Sequence, residues 1–278
     1  MLTNREAYFS LLKENNRYLH KSIIVELLCD INTFESHSDL YRHFDDPCKN
    51  YEKLMEYAAK VKEGIPYQHV LGYSFFLGHK VKVNNEVLIP RQETEQLVVD
   101  TILYIKKNFK DTDSLIIGDI CTGSGAIALS LKKEFPNAKV YASDISPEAL
   151  NIAKQNFQDL DITVYQGDMA EPFVNNKVKL DVLLCNPPYI ENISNIDEQV
   201  YKYEPHLALI AQPNYKYYKA LFEKVPEIMN KDHFYIALEI EEDMQQELLG
   251  LIGDYFPECA YCFHHDIYNK LRFLYIIK

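Results

Sequence analysis

The clearest chemistry in this 278-residue chain lies in Leu183-Leu184-Cys185-Asn186-Pro187-Pro188-Tyr189. The apolar run 182–184 reads as a buried strand, and it stops at an amide followed by two prolines. Proline has no backbone N–H to donate, so the segment cannot extend a sheet ladder. What stands at the strand end is the Asn186 side chain, a stiff Pro187-Pro188 backbone that only accepts hydrogen bonds, and the flat ring of Tyr189. Such a set suits a planar NH2 group: two acceptors take its two hydrogens while the ring covers a face.

A second cluster, Asp119-Ile120-Cys121-Thr122-Gly123-Ser124-Gly125, falls where an apolar strand turns into a helix. Glycines there let the backbone approach a ligand, and the helix start offers free N–H groups. The spacing fits neither the dinucleotide fingerprint nor the phosphate loop. With Asp119 just ahead of it, the turn favours a cationic or zwitterionic ligand over a pyrophosphate. Asp144 closes the next strand about twenty residues on, the spacing at which an acid reaches a ribose diol. Its competing role, capping the following helix, is better filled by Ser146, with Pro147 in the first turn. Asp168, past the third strand, is placed either to accept from an adenine amino group with Met169 packed on the ring, or as an ordinary loop carboxylate.

The elements that must position these residues follow from periodicity. From residue 113 onward apolar strands at 115–120, 139–143, 162–166, 181–185, 234–239, 259–263 and 272–277 alternate with helical segments at 126–134, 147–158, 215–229 and 242–251. Repeated βα units imply a mostly parallel sheet covered on both faces. The last two strands lack an intervening helix and are expected to pair as an antiparallel hairpin. Before this unit, 73–90 reads as a linking hairpin (Phe75, Phe76, Leu77, then Val81 and Val83). The first 72 residues read as helices, with Ala7, Leu11 and Leu12, Ile24, Leu27, Leu28 and Ile31, and Leu54, Tyr57, Ala58 and Val61 at helical spacing. Ser22 is a candidate N-cap for the second of these, and Ser36 or Ser38 for a short third. This bundle is either a stability cap or a docking module. Glu93 and Glu95 open the next helix, as dipole caps or as substrate-facing acids.

Composition is globular, with 47% apolar and 25% charged residues, and the net charge of −12 argues against a protein that neutralises duplex DNA. The N-terminal stretch MLTNREAYFS has no apolar core and no run approaches a membrane span, so a cytoplasmic monomer without membrane or DNA contact is expected. Six scattered cysteines read as reduced thiols. Cys259 and Cys262, followed by His264 and His265, lack a second pair, so no metal is expected and the stretch reads as a strand.

With these residues in place the sequence resembles the class I S-adenosylmethionine-dependent methyltransferases that modify planar amino nitrogens. Asn186-Pro187-Pro188-Tyr189 is similar to the motif of both N6-adenine DNA methyltransferases and glutamine N5-methyltransferases, so the tetrapeptide leaves the acceptor open. Pro66-Tyr67-Gln68-His69-Val70-Leu71-Gly72, the stretch 75–78, Ile89-Pro90-Arg91-Gln92-Glu93-Thr94-Glu95, and Tyr203-Glu204-Pro205 with Ala208-Leu209 resemble the HemK-type release factor glutamine methyltransferases. The resemblance implies an α/β fold: a helical substrate-docking domain at 1–72, the hairpin at 73–90, and a Rossmann-like methyltransferase sheet of seven strands at 91–278. It also implies methyl transfer from S-adenosylmethionine to the glutamine amide of the Gly-Gly-Gln motif in class 1 release factors, with a ribosomal-protein glutamine as the rival acceptor. Carried over residue by residue, cofactor contacts fall on Asp119, Cys121, Thr122, Gly123, Ser124, Gly125, Asp144, Asp168, Met169 and Asn186. Acceptor contacts fall on Asn186, Pro187, Pro188 and Tyr189. The family often has glycine at Cys121 and an aromatic residue at Met169, both of which differ here.

Overall fold

The computed structural model describes residues 2–278, which divide into two compact units. The first runs to Tyr73 and takes in the distant segment Glu198–Tyr203; the second comprises Ser74–Asp197 and Glu204–Lys278.

The N-terminal part of the first unit holds α1 (Asn4–Leu12), α2 (Lys21–Asn32), α3 (His37–Arg42), α4 (Tyr51–Lys62) and α5 (Tyr67–Leu71). Their apolar stripes converge on Ala7, Leu11, Ile24, Leu27, Leu28, Leu40, Leu54, Ala58 and Val61. Thr3 and Glu6 form a reciprocal capping box at α1, and Ser36 caps α3 through the Asp39 N–H. Ser22 does not cap α2. That helix starts one residue earlier, at Lys21, and the Ser22 hydroxyl instead meets His20 Nδ1 at 2.9 Å. The segment Glu198–Tyr203 is itself helical and is held to this unit by Arg17–Glu198 (2.9 Å) and by Gln199 Nε2 donating to the Gly64 carbonyl (2.9 Å).

From the end of the first unit onward, β1 (Tyr73–Phe76) and β2 (His79–Lys82) form a two-stranded ribbon, followed by α6 (Gln92–Asn108). Then come β3 (Ile116–Ile120), α7 (Ala126–Glu134), β4 (Lys139–Asp144), α8 (Pro147–Asn156), β5 (Ile162–Gln166), α9 (Glu171–Asn175) and β6 (Val182–Cys185). After the helical excursion α10 (Glu198–Tyr203), the chain adds α11 (Lys216–Ile228), β7 (Tyr235–Glu239), α12 (Gln245–Tyr255), β8 (Ala260–His265) and β9 (Leu271–Ile277). The sheet order is β5-β4-β3-β6-β7-β9-β8, parallel through β7 and antiparallel at β9 and β8. The seven-stranded α/β fold with its C-terminal antiparallel hairpin is therefore as the sequence implies. The last strand inserts between β7 and β8, so the hairpin runs back into the sheet.

Alternation explains why the central strands read as unbroken apolar runs. Val182 and Leu184 of β6, Tyr235 and Ala237 of β7, and Phe273 and Tyr275 of β9 face the layer with α6, α7 and α8. Leu183, Cys185, Ile236, Leu238, Leu274 and Ile276 face the layer with α9, α11 and α12. Both faces of a parallel sheet are covered, so neither set of positions stays polar. The ribbon read as a linker contributes Phe76 and Val81 to the first of these layers. Among the described residues no helix is long and apolar enough to cross a membrane.

Candidate active site

In this strand order the sequence direction reverses at β3, which has β4 on one side and β6 on the other. The carboxyl ends at such a reversal leave a crevice, because the connections depart to opposite faces. A cavity of about 450 Å3 lies there, of the size that encloses a small cofactor.

The floor of the crevice comes from the turn after β3. Its left-handed positions are Cys121 (φ 60°), Gly123 (φ 53°) and Gly125 (φ 83°). Glycine adopts this conformation without strain, whereas Cys121 holds it against a side-chain penalty of roughly 1–2 kcal/mol. Cys121 Sγ packs 3.7 Å from Met169 Sδ, and both line the cavity. A Cβ at Gly125 would sit 2.5 Å from the Phe157 ring, so glycine is required there by close approach as well as by φ.

Asp119 has a different place from the rest of its motif. It is fully buried and absent from the cavity wall; its Oδ2 accepts from the Thr122 hydroxyl at 2.5 Å and from the Ala128 N–H at 3.1 Å. Burial raises its carboxyl to about 7, against the pull of those two hydrogen bonds. Asp119 thus braces the glycine turn from beneath. Thr122, Ser124 and Gly125 also lie off the wall, and among the turn residues Cys121 and Gly123 line it.

Asp144 stands at the end of β4 on the cavity wall. Its Oδ2 accepts from the Gly123 N–H (2.8 Å) and its Oδ1 from the Ser146 N–H (3.0 Å), fixing the carboxylate between the two turns. Each oxygen keeps a second lone pair, so two hydroxyl donors can still be accepted. Ser146 caps α8 through the Ala149 N–H at 3.0 Å, which leaves Asp144 free of that duty. Burial pushes the Asp144 carboxyl upward, opposed by the N–H groups of Ser146, Gly123 and Ile145. Asp168 is exposed on the same wall beside the buried Met169. Carboxylates at Glu86, Asp144, Glu148 and Asp168 against the single lysine Lys216 make the cavity acidic, suited to a ligand with cationic groups and unsuited to a pyrophosphate.

Asn186 and Pro188 reach the cavity from the end of β6, whereas buried Pro187 and half-buried Tyr189 lie off its wall. Asn186 Nδ2 donates to Thr94 Oγ1 (3.3 Å), the Thr94 hydroxyl donates to Glu239 Oε2 (2.7 Å), and the Tyr189 hydroxyl donates to Glu239 Oε1 (3.0 Å). Burial raises the Glu239 carboxyl, while the Thr94 and Tyr189 hydroxyls and nearby Arg272 act the other way.

Three carboxylates have partners that the sequence reading did not assign. Glu204, with its side chain 1% exposed, accepts from the Ile89 N–H (2.9 Å) and from Arg91 (2.6 Å). It joins two motifs more than a hundred residues apart, and Val87 and Leu88 line the same cavity as Pro205–Ala208. Glu93 and Glu95 lie in the first turn of α6, where acids favour the helix dipole, and off the cavity wall; the Glu95 carboxylate also accepts from the Leu77 N–H (2.7 Å) and pins the ribbon to α6. Glu239 ends a strand like Asp144, and that position was its only signal in the sequence. Cys262, His264 and His265 lie in the strand β8, and no group of three or more His, Cys, Asp or Glu is placed to hold a metal among the described residues.

A sheet of this order with an acidic crevice at its reversal point and Asn-Pro-Pro-Tyr at the neighbouring strand end defines a class I methyltransferase. The profile of the Methyltransferase small domain matches residues 101–237. The crystal structure of a methyltransferase from Pyrococcus furiosus shares the fold, with a TM-score of 0.51 and 17% identity over 73% of this chain and 90% of that one. The release factor glutamine methyltransferase of Bacillus cereus is 35% identical over 96% of this chain and 95% of its own length. That of Bacillus subtilis is 36% identical over 84% and 85%. The chain belongs to the release factor glutamine methyltransferase family.

Proposed function

We propose that this chain transfers a methyl group from S-adenosylmethionine to the side-chain amide nitrogen of the glutamine in the Gly-Gly-Gln motif of class 1 release factors. The observation that carries the reading is the end-to-end family relation joined to an Asn-Pro-Pro-Tyr strand end on the rim of an acidic, nucleoside-sized cavity.

The residues present fit that cofactor. Asp144 has acceptor capacity for a ribose diol, Gly123 lets the backbone come close, Met169 offers a polarisable surface to a flat base, and the carboxylates favour sulfonium and ammonium charge. When bound, S-adenosylmethionine supplies an electrophilic methyl on sulfur. The chain then has to present the amide nitrogen. Asn186 Oδ1 accepts one N–H and the Pro187 carbonyl accepts the other, with Tyr189 beside the amide plane. Holding both hydrogens aims the nitrogen at the methyl and draws electron density onto it; the S–C electron pair would leave with S-adenosylhomocysteine and one of the two N–H protons would pass to water after transfer, so the rate gain comes from positioning and electrostatics. We assign the helical unit to docking of the release factor.

Incubation of the full chain with S-adenosylmethionine and a class 1 release factor, followed by peptide mass spectrometry, tests the reading. One added methyl on the motif glutamine is the expected result. Methyl transfer to duplex DNA or a ribosomal protein instead of the release factor would overturn it.

A further inference from the structure

We propose that Thr94 and Glu239 are positioning residues that set which face of the Asn186 amide meets the substrate. The inference rests on the assignment of Asn186 Oδ1 as acceptor for the glutamine amide.

Glu239 is 2% exposed at the end of β7, and its two oxygens each meet one hydroxyl, from Thr94 at 2.7 Å and from Tyr189 at 3.0 Å. Both hydroxyls donate to this carboxylate, one to each oxygen, so each spends its single hydrogen there. Thr94 has one hydrogen; with that committed, its oxygen can only accept from Asn186 at 3.3 Å. The Asn186 group facing Thr94 is therefore the NH2, and Oδ1 is turned the other way. Without Thr94 the two flips of an amide differ little in shape, and the wrong one would oppose NH2 to the substrate's own NH2. Since Asn186 reaches the cavity while Thr94 and Glu239 do not, the carboxylate acts through its partners rather than on the reacting atoms.

The arrangement is also stiff. Thr94 is 5% exposed in the first turn of α6, and the next residue, Glu95, is tied to the Leu77 N–H. Tyr218 donates its hydroxyl to the Glu239 carbonyl at 2.6 Å, fixing the backbone that carries the carboxylate. One buried group thus holds both Asn186 and Tyr189, the two side chains of the tetrapeptide with polar atoms.

The test uses the full chain with a release factor and S-adenosylmethionine. Thr94→Val keeps the shape and removes the acceptor, so kcat should fall about 10- to 100-fold, the scale of a misplaced reacting group. The cofactor Kd by calorimetry should stay within about twofold, and Thr94→Ser should recover most of the rate, because the hydroxyl returns. In an Asn186→Ala background Thr94→Val should have no further effect on kcat, since its action runs through the missing amide. A Thr94→Val enzyme with wild-type kcat, or a loss that multiplies undiminished onto Asn186→Ala, overturns the proposal. If the valine variant does not fold, Thr94→Ala carries the same expectations without added bulk. Normal turnover of Asn186→Ala would instead defeat the acceptor assignment itself, whereas an inactive Asn186→Ala beside a fully active Thr94→Val defeats only this inference.

Discussion

At the scale of single residues the site separates groups that face the ligand from groups that hold them. Asn186 faces it, and removal of its acceptor is expected to lower kcat by about 100-fold or more, the range seen when one preorganised polar group is deleted. Calorimetry should find cofactor affinity largely kept in Asn186→Ala, because Asp144 and Gly123 remain; near-normal turnover would contradict the assignment. Asp119 holds. Its carboxyl lies near 7 in the folded chain against an ordinary value of 3.8. Between those values the folded state keeps a proton that the unfolded state has lost, so Asp119 makes the protein less stable as pH rises through that window. Asp119→Asn lacks this titration. Urea denaturation at about pH 5 and about pH 8 should show the stability difference moving in favour of the variant at the higher pH. No movement, or movement toward the wild type, would rule this out.

The elements work because their ends are shaped by close approach. The turn from β3 into α7 needs glycine at 125, where φ is +83° and an added methyl would meet Phe157 at 2.5 Å and Ala153 at 3.2 Å. Gly125→Ala should therefore cost about 1–3 kcal/mol through overpacking, with further loss from the left-handed backbone. Chemical unfolding measures the cost, and calorimetry should show weaker cofactor binding as the turn shifts. An alanine variant as stable as the wild type would mean that α8, which carries Phe157 at its end, yields freely. The same ridge of contacts explains why Asp144 is well oriented: Ser146 takes the cap of α8, so the carboxylate is left between two turns with spare acceptor capacity.

Across the whole molecule the cavity depends on one pairing distant in sequence. Glu204 satisfies the Ile89 N–H and the Arg91 guanidinium together, on a side chain that is 1% exposed. Glu204→Ala leaves a buried N–H and a partly buried cation without partners, a loss of about 3 kcal/mol. Thermal or urea unfolding should show it, together with a raised cofactor Kd as the wall at Pro205–Ala208 loosens; an unchanged Kd would mean the wall stands without the pin. The helical unit presents an aromatic cluster on its surface, with Phe9 46% and Tyr41 57% exposed around Phe44. If this unit docks the release factor, Phe9→Ala with Tyr41→Ala should raise KM for the intact factor several-fold, as loss of aromatic anchors does. The rate with a short Gly-Gly-Gln peptide should be unchanged, and an equal effect on both substrates would argue against docking.

Much of this was legible in the sequence because it is local. The alternation of apolar strands and amphipathic helices, the glycine turn, the acid at the end of β4 and the prolines after Asn186 each express a backbone preference within a few residues. Those preferences dictate the doubly wound sheet, and with it the meeting of the ends of β3, β4, β5 and β6. The sequence could not say that Asp119 and Thr122 brace the turn while Cys121 and Gly123 face the crevice. A carboxylate beneath a turn and one above it have the same local signature, and only packing of α7 on the sheet buries one of them. The same holds for Glu95, Glu204 and Glu239, whose partners are 18, 113 and 145 positions away. Asn-Pro-Pro-Tyr by itself determined that an amide, a stiff acceptor-only backbone and an aromatic ring stand together at a strand end, the set from which we propose the grip on a planar amino group. Which way the Asn186 amide points was decided by tertiary structure alone, because a hydroxyl with one proton, shared between an amide and a buried carboxylate, exists only when α6, β6 and β7 are packed together.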